Sequence, residues 1–122
     1  MSNPVVHFEI MGRDGPELIE FYRSLFNWPL RAGEATGYQQ FAYLPEPEQG
    51  IGGGVGSIDG EPYLTFYVDV SDIDETWQRA LELGAEAVLP PTVLPEIQGL
   101  IIARFRDKDG NIVGLSQRPK AA

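Results

Sequence analysis

Two stretches of this chain alternate apolar and polar residues with period two, and each runs into residues spaced as on one face of a helix. In the first, Val6, Phe8 and Ile10 share one side of a strand while His7 and Glu9 take the other. Asp14 is placed to cap a helix, with Glu17 three residues on and Pro16 suited to the first turn. Leu18, Phe21, Tyr22, Leu25 and Phe26 then form the apolar stripe, which Asn27, Trp28 and Pro29 end. In the second stretch, Leu64, Phe66, Val68 and Val70 alternate with Thr65, Tyr67 and Asp69. Asp72 and Glu75 repeat the cap, Ile73, Trp77, Ala80 and Leu81 repeat the stripe, and Gly84 stops the helix.

The two stretches are copies of one unit. Val6, Phe8 and Ile10 match Leu64, Phe66 and Val68 at an offset of 58. Leu18, Phe21 and Tyr22 match Trp77, Ala80 and Leu81 at 59, so one turn is a residue longer than the other. Shared parity, turn and caps agree across levels, which a chance match of amphipathic segments does not require. Shorter strands are predicted near Tyr38–Leu44 and Gly50–Ser57, then near Ala87–Leu89, Leu100–Arg106 and Ile112–Gln117. The last two are joined by a tight turn over Asp107–Asn111. Pro45–Gln49 and Pro90–Gln98 are rich in Pro and Glu and read as exposed loops. The pattern predicts an α+β fold: a mostly antiparallel sheet with its helices on one face.

Composition narrows the partners more than the fold. A chain of 122 residues is one domain of ordinary size. Its net charge of −9 repels phosphate backbones and anionic membranes, and its nine basic residues are dispersed, so neither nucleic acid nor membrane is an expected partner. The absence of cysteine excludes disulfides and thiolate chemistry and fits a reducing compartment. With no signal-peptide pattern and no apolar run approaching a membrane span, the expected location is cytoplasmic.

Candidate chemistry lies on the strand faces turned away from the helices: His7, Glu9, Thr65, Tyr67 and Asp69. If the sheet curls, these line a concavity suited to a small molecule; otherwise they are an ordinary solvated face. His7 is the only histidine, a structural residue by default but suited to proton transfer beside Glu9. The run Gly50–Gly56 lacks the Gly-Lys-Ser/Thr ending of a phosphate loop and reads as a bulged strand or a site of close approach. No Ser, His and acid trio has hydrolase spacing.

Several motifs carry a family resemblance over nearly the whole chain. They are His7–Ile10 with Glu17, Phe21-Tyr22 and Phe26–Trp28; Gly52–Gly54; Thr65–Val70 with Asp72–Asp74; Leu83–Ala85; Pro90-Pro91; and Asp107–Leu115. In order and spacing they resemble the vicinal oxygen chelate superfamily, which includes glyoxalase I, bleomycin-resistance proteins and extradiol dioxygenases. The resemblance implies two tandem βαβββ modules, about 4–58 and 61–118, forming a curved sheet with a cleft, helices outside, and often a homodimer.

Metal-dependent members carry one ligand, typically His or Glu, on the first and last strand of each module. The matching positions here are His7, Thr65, Gly53 or Gly54, and Gly114. One imidazole does not make a catalytic divalent site, so neither metal nor other cofactor is expected. The first reading is therefore a metal-free, small-molecule-binding protein like the bleomycin-resistance members. Thr65, Tyr67, Trp28, Tyr38, Phe41, Phe105 and Gly114, with Tyr22 beside them, are its expected ligand-binding residues. The alternatives are a lyase or isomerase with His7 and Glu9 as acid–base groups, a metal enzyme with unusual ligands such as Glu9 or Glu96, and a regulatory domain whose cleft serves dimerisation.

Overall fold

Asp14 and Asp72 start the two helices in the same way. Asp14 Oδ1 accepts from the backbone N–H of Glu17 at 3.1 Å, and Asp72 Oδ1 from that of Glu75 at 3.1 Å. Each bond satisfies one of the N–H groups a helix start leaves open. A second bond reaches the first helical residue from the end of a strand. Ser57 Oγ accepts from Gly15 N at 2.6 Å, and Gln117 Oε1 from Ile73 N at 2.8 Å. The repeat thus extends to a strand-to-helix latch built from two different side chains. The first helix ends on Asn27 in the left-handed region (φ 56°), and Gly84 takes φ +103° just after the second.

The computed structural model describes residues 3–32 and 41–119. Its elements are β1 (Val5–Gly12), α1 (Gly15–Phe26), β2 (Arg31–Ala32), β3 (Phe41–Leu44), β4 (Gly52–Ser57), β5 (Tyr63–Asp69), α2 (Ile73–Glu82), β6 (Glu86–Leu94), β7 (Leu100–Arg106) and β8 (Ile112–Gln117). The chain divides into two compact units: His7–Thr65, and Phe66 onward with the N-terminal residues through Val6.

In the His7–Thr65 unit the strand order is β2-β3-β4-β1, with β1 parallel to β4 and the other pairs antiparallel. In the other it is β5-β8-β7-β6, with β5 parallel to β8 and the rest antiparallel. Each unit is therefore a βαβββ repeat on a mixed sheet, the α+β fold expected from the sequence.

Each unit has its own core. Val70, Ile73, Trp77, Ala103 and Leu115 are buried together, with Val68, Leu81, Ile101 and Phe105 packed on them. Leu30, Ala42, Leu44 and Val55 form the other, with Phe8, Ile10, Leu18, Ile19, Tyr22 and Trp28 around it. Burying a side chain such as Ile73 or Val55 contributes about 1.5–3 kcal/mol.

Three expectations are corrected. Pro90–Gln98 is not simply a loop: β6 continues to Leu94, and a 3-10 turn follows over Pro95–Ile97. As the last strand in its unit's order, β6 pairs only with β7 there, and the register shifts between Leu89 and Thr92 leave Pro90 and Pro91 without ladder partners. Prolines are tolerated where no N–H is needed. On α1, the packed residues are Leu18, Ile19 and Tyr22, while Phe21, Leu25 and Phe26 are more than half exposed. The apolar arc of that helix is wider than the surface it covers. On β5, Val68 and Val70 pack against the α2 core as predicted, but Leu64 and Phe66 are exposed and Thr65 and Tyr67 are buried. The stripe of α2 reaches only the C-terminal part of the strand. The strand predicted from Tyr38 is observed from Phe41; Tyr38 itself lies outside the described residues.

Candidate functional site

Packing of Phe8 and Ile10 against the α1 core turns His7 and Glu9 to the opposite face of β1. His7 is half-buried, and burial lowers its pKa from the ordinary 6.5, so the imidazole is neutral at pH 7. Glu9 Oε1 accepts a hydrogen bond from the Tyr63 hydroxyl at 3.2 Å. Beside Glu9 in register stands Gly54, and the Phe41 ring occupies the space a side chain at that position would need. Gly53 is filled in the same way by the Phe8 ring.

The other unit repeats this device. Tyr67 pairs with Gly114, and its ring lies where a Cβ at position 114 would go. Arg104, on the far side of Gly114 in register, donates from Nη1 to the Tyr67 hydroxyl at 2.8 Å. Ala103 and Phe105 belong to the α2 core, so the parity of β7 sends Arg104 to the face of Tyr67. Further along that face, Asp69 accepts from Ser116 Oγ at 3.2 Å and pairs with Arg118 at 3.1 Å.

These contacts sort the sequence-predicted residues. His7, Glu9 and Phe41 come to one sheet face of the first unit; Tyr67 and Gly114 come together in the second. Thr65 is buried. Phe105 packs on the α2 core, away from Tyr67. Trp28 joins an aromatic cluster on the helical side, with ring centroids 5.3 Å from Phe8, 5.8 Å from Tyr22 and 5.1 Å from Phe26. Sequence reasoning passed over Arg104 and Tyr63. Alternation within Leu100–Arg106 would have found the first, because it sets Arg104 against Ile101, Ala103 and Phe105. Nothing local marks Tyr63.

The residues at the four positions that the resemblance aligns with metal ligands do not fit a divalent ion. They offer one imidazole and one buried threonine hydroxyl, and the two remaining positions are glycines covered by rings. Among the described residues, no three His, Cys, Asp or Glu side chains cluster as a metal site needs. The side chain of Glu96 lies outside the described residues.

The first unit also has an open groove of about 680 Å³ on its helical side, lined by Ile10, Leu18, Phe21, Tyr22, Tyr63 and Leu64 among others. Tyr63 thus borders this groove while its hydroxyl bonds Glu9.

Two βαβββ units, each with a helix on one sheet face and polar and aromatic side chains on the other, define a glyoxalase-like fold. Residues 5–115 match the Glyoxalase/Bleomycin resistance protein/Dioxygenase superfamily, and the chain belongs to that family. Solved structures agree. A glyoxalase/bleomycin resistance protein/dioxygenase superfamily member from Vibrio splendidus 12B01 is similar with a TM-score of 0.67 and 19% identity, covering 96% of this chain and 100% of that one. Methylmalonyl-CoA epimerase from Mycobacterium tuberculosis is similar with a TM-score of 0.65 and 16% identity, covering 95% and 88%. A Streptomyces coelicolor methylmalonyl-CoA epimerase in complex with 2-nitronate-propionyl-CoA gives 0.61 and 15%, covering 99% and 98%. At these identities the likeness is one of fold. No curated protein matches the sequence.

Proposed function

We propose that this protein binds a small organic molecule without a metal ion, on the sheet face of the His7–Thr65 unit that carries His7, Glu9 and Phe41. The observation that carries this reading is the pair of ring-covered glycines. At the two last-strand positions that the family resemblance aligns with metal ligands, this chain has glycine: Gly53 or Gly54, under the Phe8 or the Phe41 ring, and Gly114 under Tyr67. The change removes ligands and leaves the half-buried Phe41 ring on the face of Glu9, which suits stacking and apolar contact. Elemental analysis of protein purified without chelator, followed by a thermal-shift screen with and without EDTA, tests it. The expected result is substoichiometric metal and ligand shifts that EDTA leaves unchanged. A ligand at a hundred times its Kd adds about 2.7 kcal/mol to stability. Stoichiometric metal, or shifts that EDTA abolishes, would overturn the reading.

A second reading has its own support. The neutral imidazole of His7 is in the form that accepts a proton, and the Glu9 carboxyl, two residues along the same face, is held by Tyr63. The fold is shared with methylmalonyl-CoA epimerases. Such a pair could move a proton at a carbon next to a carbonyl, one group removing it and the other returning it. Solvent-deuterium exchange into an acyl thioester, lost in both His7→Gln and Glu9→Gln, is the outcome this reading requires.

A further inference from the structure

The groove on the helical side of the His7–Thr65 unit is lined by Ile10 and Leu18, which pack on that unit's core, by Phe21 and Tyr22 of α1, and by Tyr63 and Leu64 of β5. Its volume of about 680 Å³ is that of a small-molecule site, which is typically concave and mostly apolar with a few charged or polar groups. The chain leaves it open: Phe21 is 55% and Leu64 70% exposed, though both side chains are large and apolar. Phe21 and Tyr22 meet edge to face with ring centroids 5.0 Å apart. The bond from the Tyr63 hydroxyl to Glu9 at 3.2 Å ties the third ring to the sheet. An aromatic ring carries a negative face, so three rings around one groove favour a cation on an apolar body.

The charged lining residues agree on the sign. Arg13 is tied to Glu61 at 2.9 Å, so a carboxylate already answers its charge. Asp14 and Glu17 remain. Asp14 uses one oxygen for the helix cap. Glu17 stands where a capping box would return a bond, yet only its backbone N–H takes part in the cap. Its carboxylate makes no hydrogen bond or ion pair among the described residues. Two carboxylates outweigh the roughly half positive charge of a helix start. The net charge of −9 adds long-range attraction for cations. A second copy of the chain would bring like charge to these carboxylates, which makes a cation the better-matched occupant.

We propose that this groove is a second small-molecule site and that it takes an organic cation, an ammonium group on a body of one or two apolar rings, with Phe21, Tyr22 and Tyr63 around it and Glu17 answering its charge. The site is separate from the sheet face of His7, Glu9 and Phe41 and does not rest on the reading given for that face.

Four probes test it: benzyltrimethylammonium, tetramethylammonium, benzyl alcohol and phenylacetate, titrated calorimetrically into the full chain in EDTA. Benzyltrimethylammonium is expected to bind most tightly, because the others lack the apolar body, the charge or its sign. Glu17→Gln should weaken it by roughly two- to fivefold and leave benzyl alcohol unchanged. Phe21→Leu keeps apolar bulk without the ring and should weaken it by roughly three- to tenfold. Raising salt from about 0.05 M to about 1 M should narrow the gap between the cation and the alcohol. Urea midpoints identify any loss of fold, and Glu17→Gln carries the test if Phe21→Leu unfolds. Benzyl alcohol or phenylacetate binding as tightly as benzyltrimethylammonium overturns the proposal, as does a cation affinity unchanged in both variants. If that affinity falls in His7→Gln and not in the groove variants, the cation sits on the sheet face; this inference falls while metal-free binding there stands. Stoichiometric metal would overturn the sheet-face reading and leave the groove's cation binding in place. No measurable binding of benzyltrimethylammonium overturns the proposal, and if Leu64→Glu then turns a dimer into a monomer, a second copy fills the groove instead.

Discussion

His7 combines a first-strand position with a half-buried setting, and its titration follows from that. Burial depresses the folded-state pKa below the 6.5 of the unfolded chain. Between those two values the unfolded state binds more protons, so stability is fully present above 6.5 and is lost as pH falls toward the folded value. The urea midpoint should therefore drop more steeply for the native chain than for His7→Gln between about pH 7 and pH 5. Parallel curves for the two proteins would contradict this. Gly114 is constrained as tightly, by sterics. Gly114→Ala drives a methyl into the Tyr67 ring and should cost about 1–3 kcal/mol in chemical denaturation. Combined with Tyr67→Ala it should cost less than the sum, by about 0.5–3 kcal/mol, because the two positions share one space.

The doubled N-terminal latch explains why the helices sit where the pattern predicted. Removing the Asp72 cap by Asp72→Ala should cost about 1 kcal/mol, and Ile73→Ala in the same turn about 2–5 kcal/mol, since Ile73 is 1% exposed. Equal losses for both would argue against the core assignment. Helix starts, helix stops, β7 and β8 were legible because they depend on local chemistry: a carboxylate three residues from an N–H, a glycine at positive φ, strict alternation. The path of β6 was not. Pro90 and Pro91 announce a loop locally, and only its edge position and shifted register make a strand acceptable there. Burial along β5 and α1 failed for the matching reason. Alternation assigns residues to faces, but how much of a face is covered depends on the reach of another element.

Membership of the glyoxalase-like family extends across 5–115, and among the described residues no helix is long and apolar enough to cross a membrane. Pairing with a second copy is an expectation at this scale, supported by α1, where Phe21, Leu25 and Phe26 are 55%, 57% and 51% exposed. Sedimentation should show a dimer that tightens with added salt, because two chains of charge −9 repel each other at low ionic strength. Leu25→Glu should shift it toward monomer; a native chain that stays monomeric at all salt concentrations would rule the pairing out.

Sequence alone determined the repeat, the fold class, the capped helices and the family, and the resemblance implied glycine at two positions where metal-dependent members carry a ligand. It did so because periodicity, caps and turns are properties of neighbours along the chain. Only the tertiary structure decided what those glycines are for. A missing side chain acquires meaning from what moves into its space, and Phe41 over Gly54 and Tyr67 over Gly114 come from other strands. The bond from Arg104 to Tyr67 spans 37 residues of chain and crosses an intervening strand. No local pattern encodes such a contact; register across three strands does.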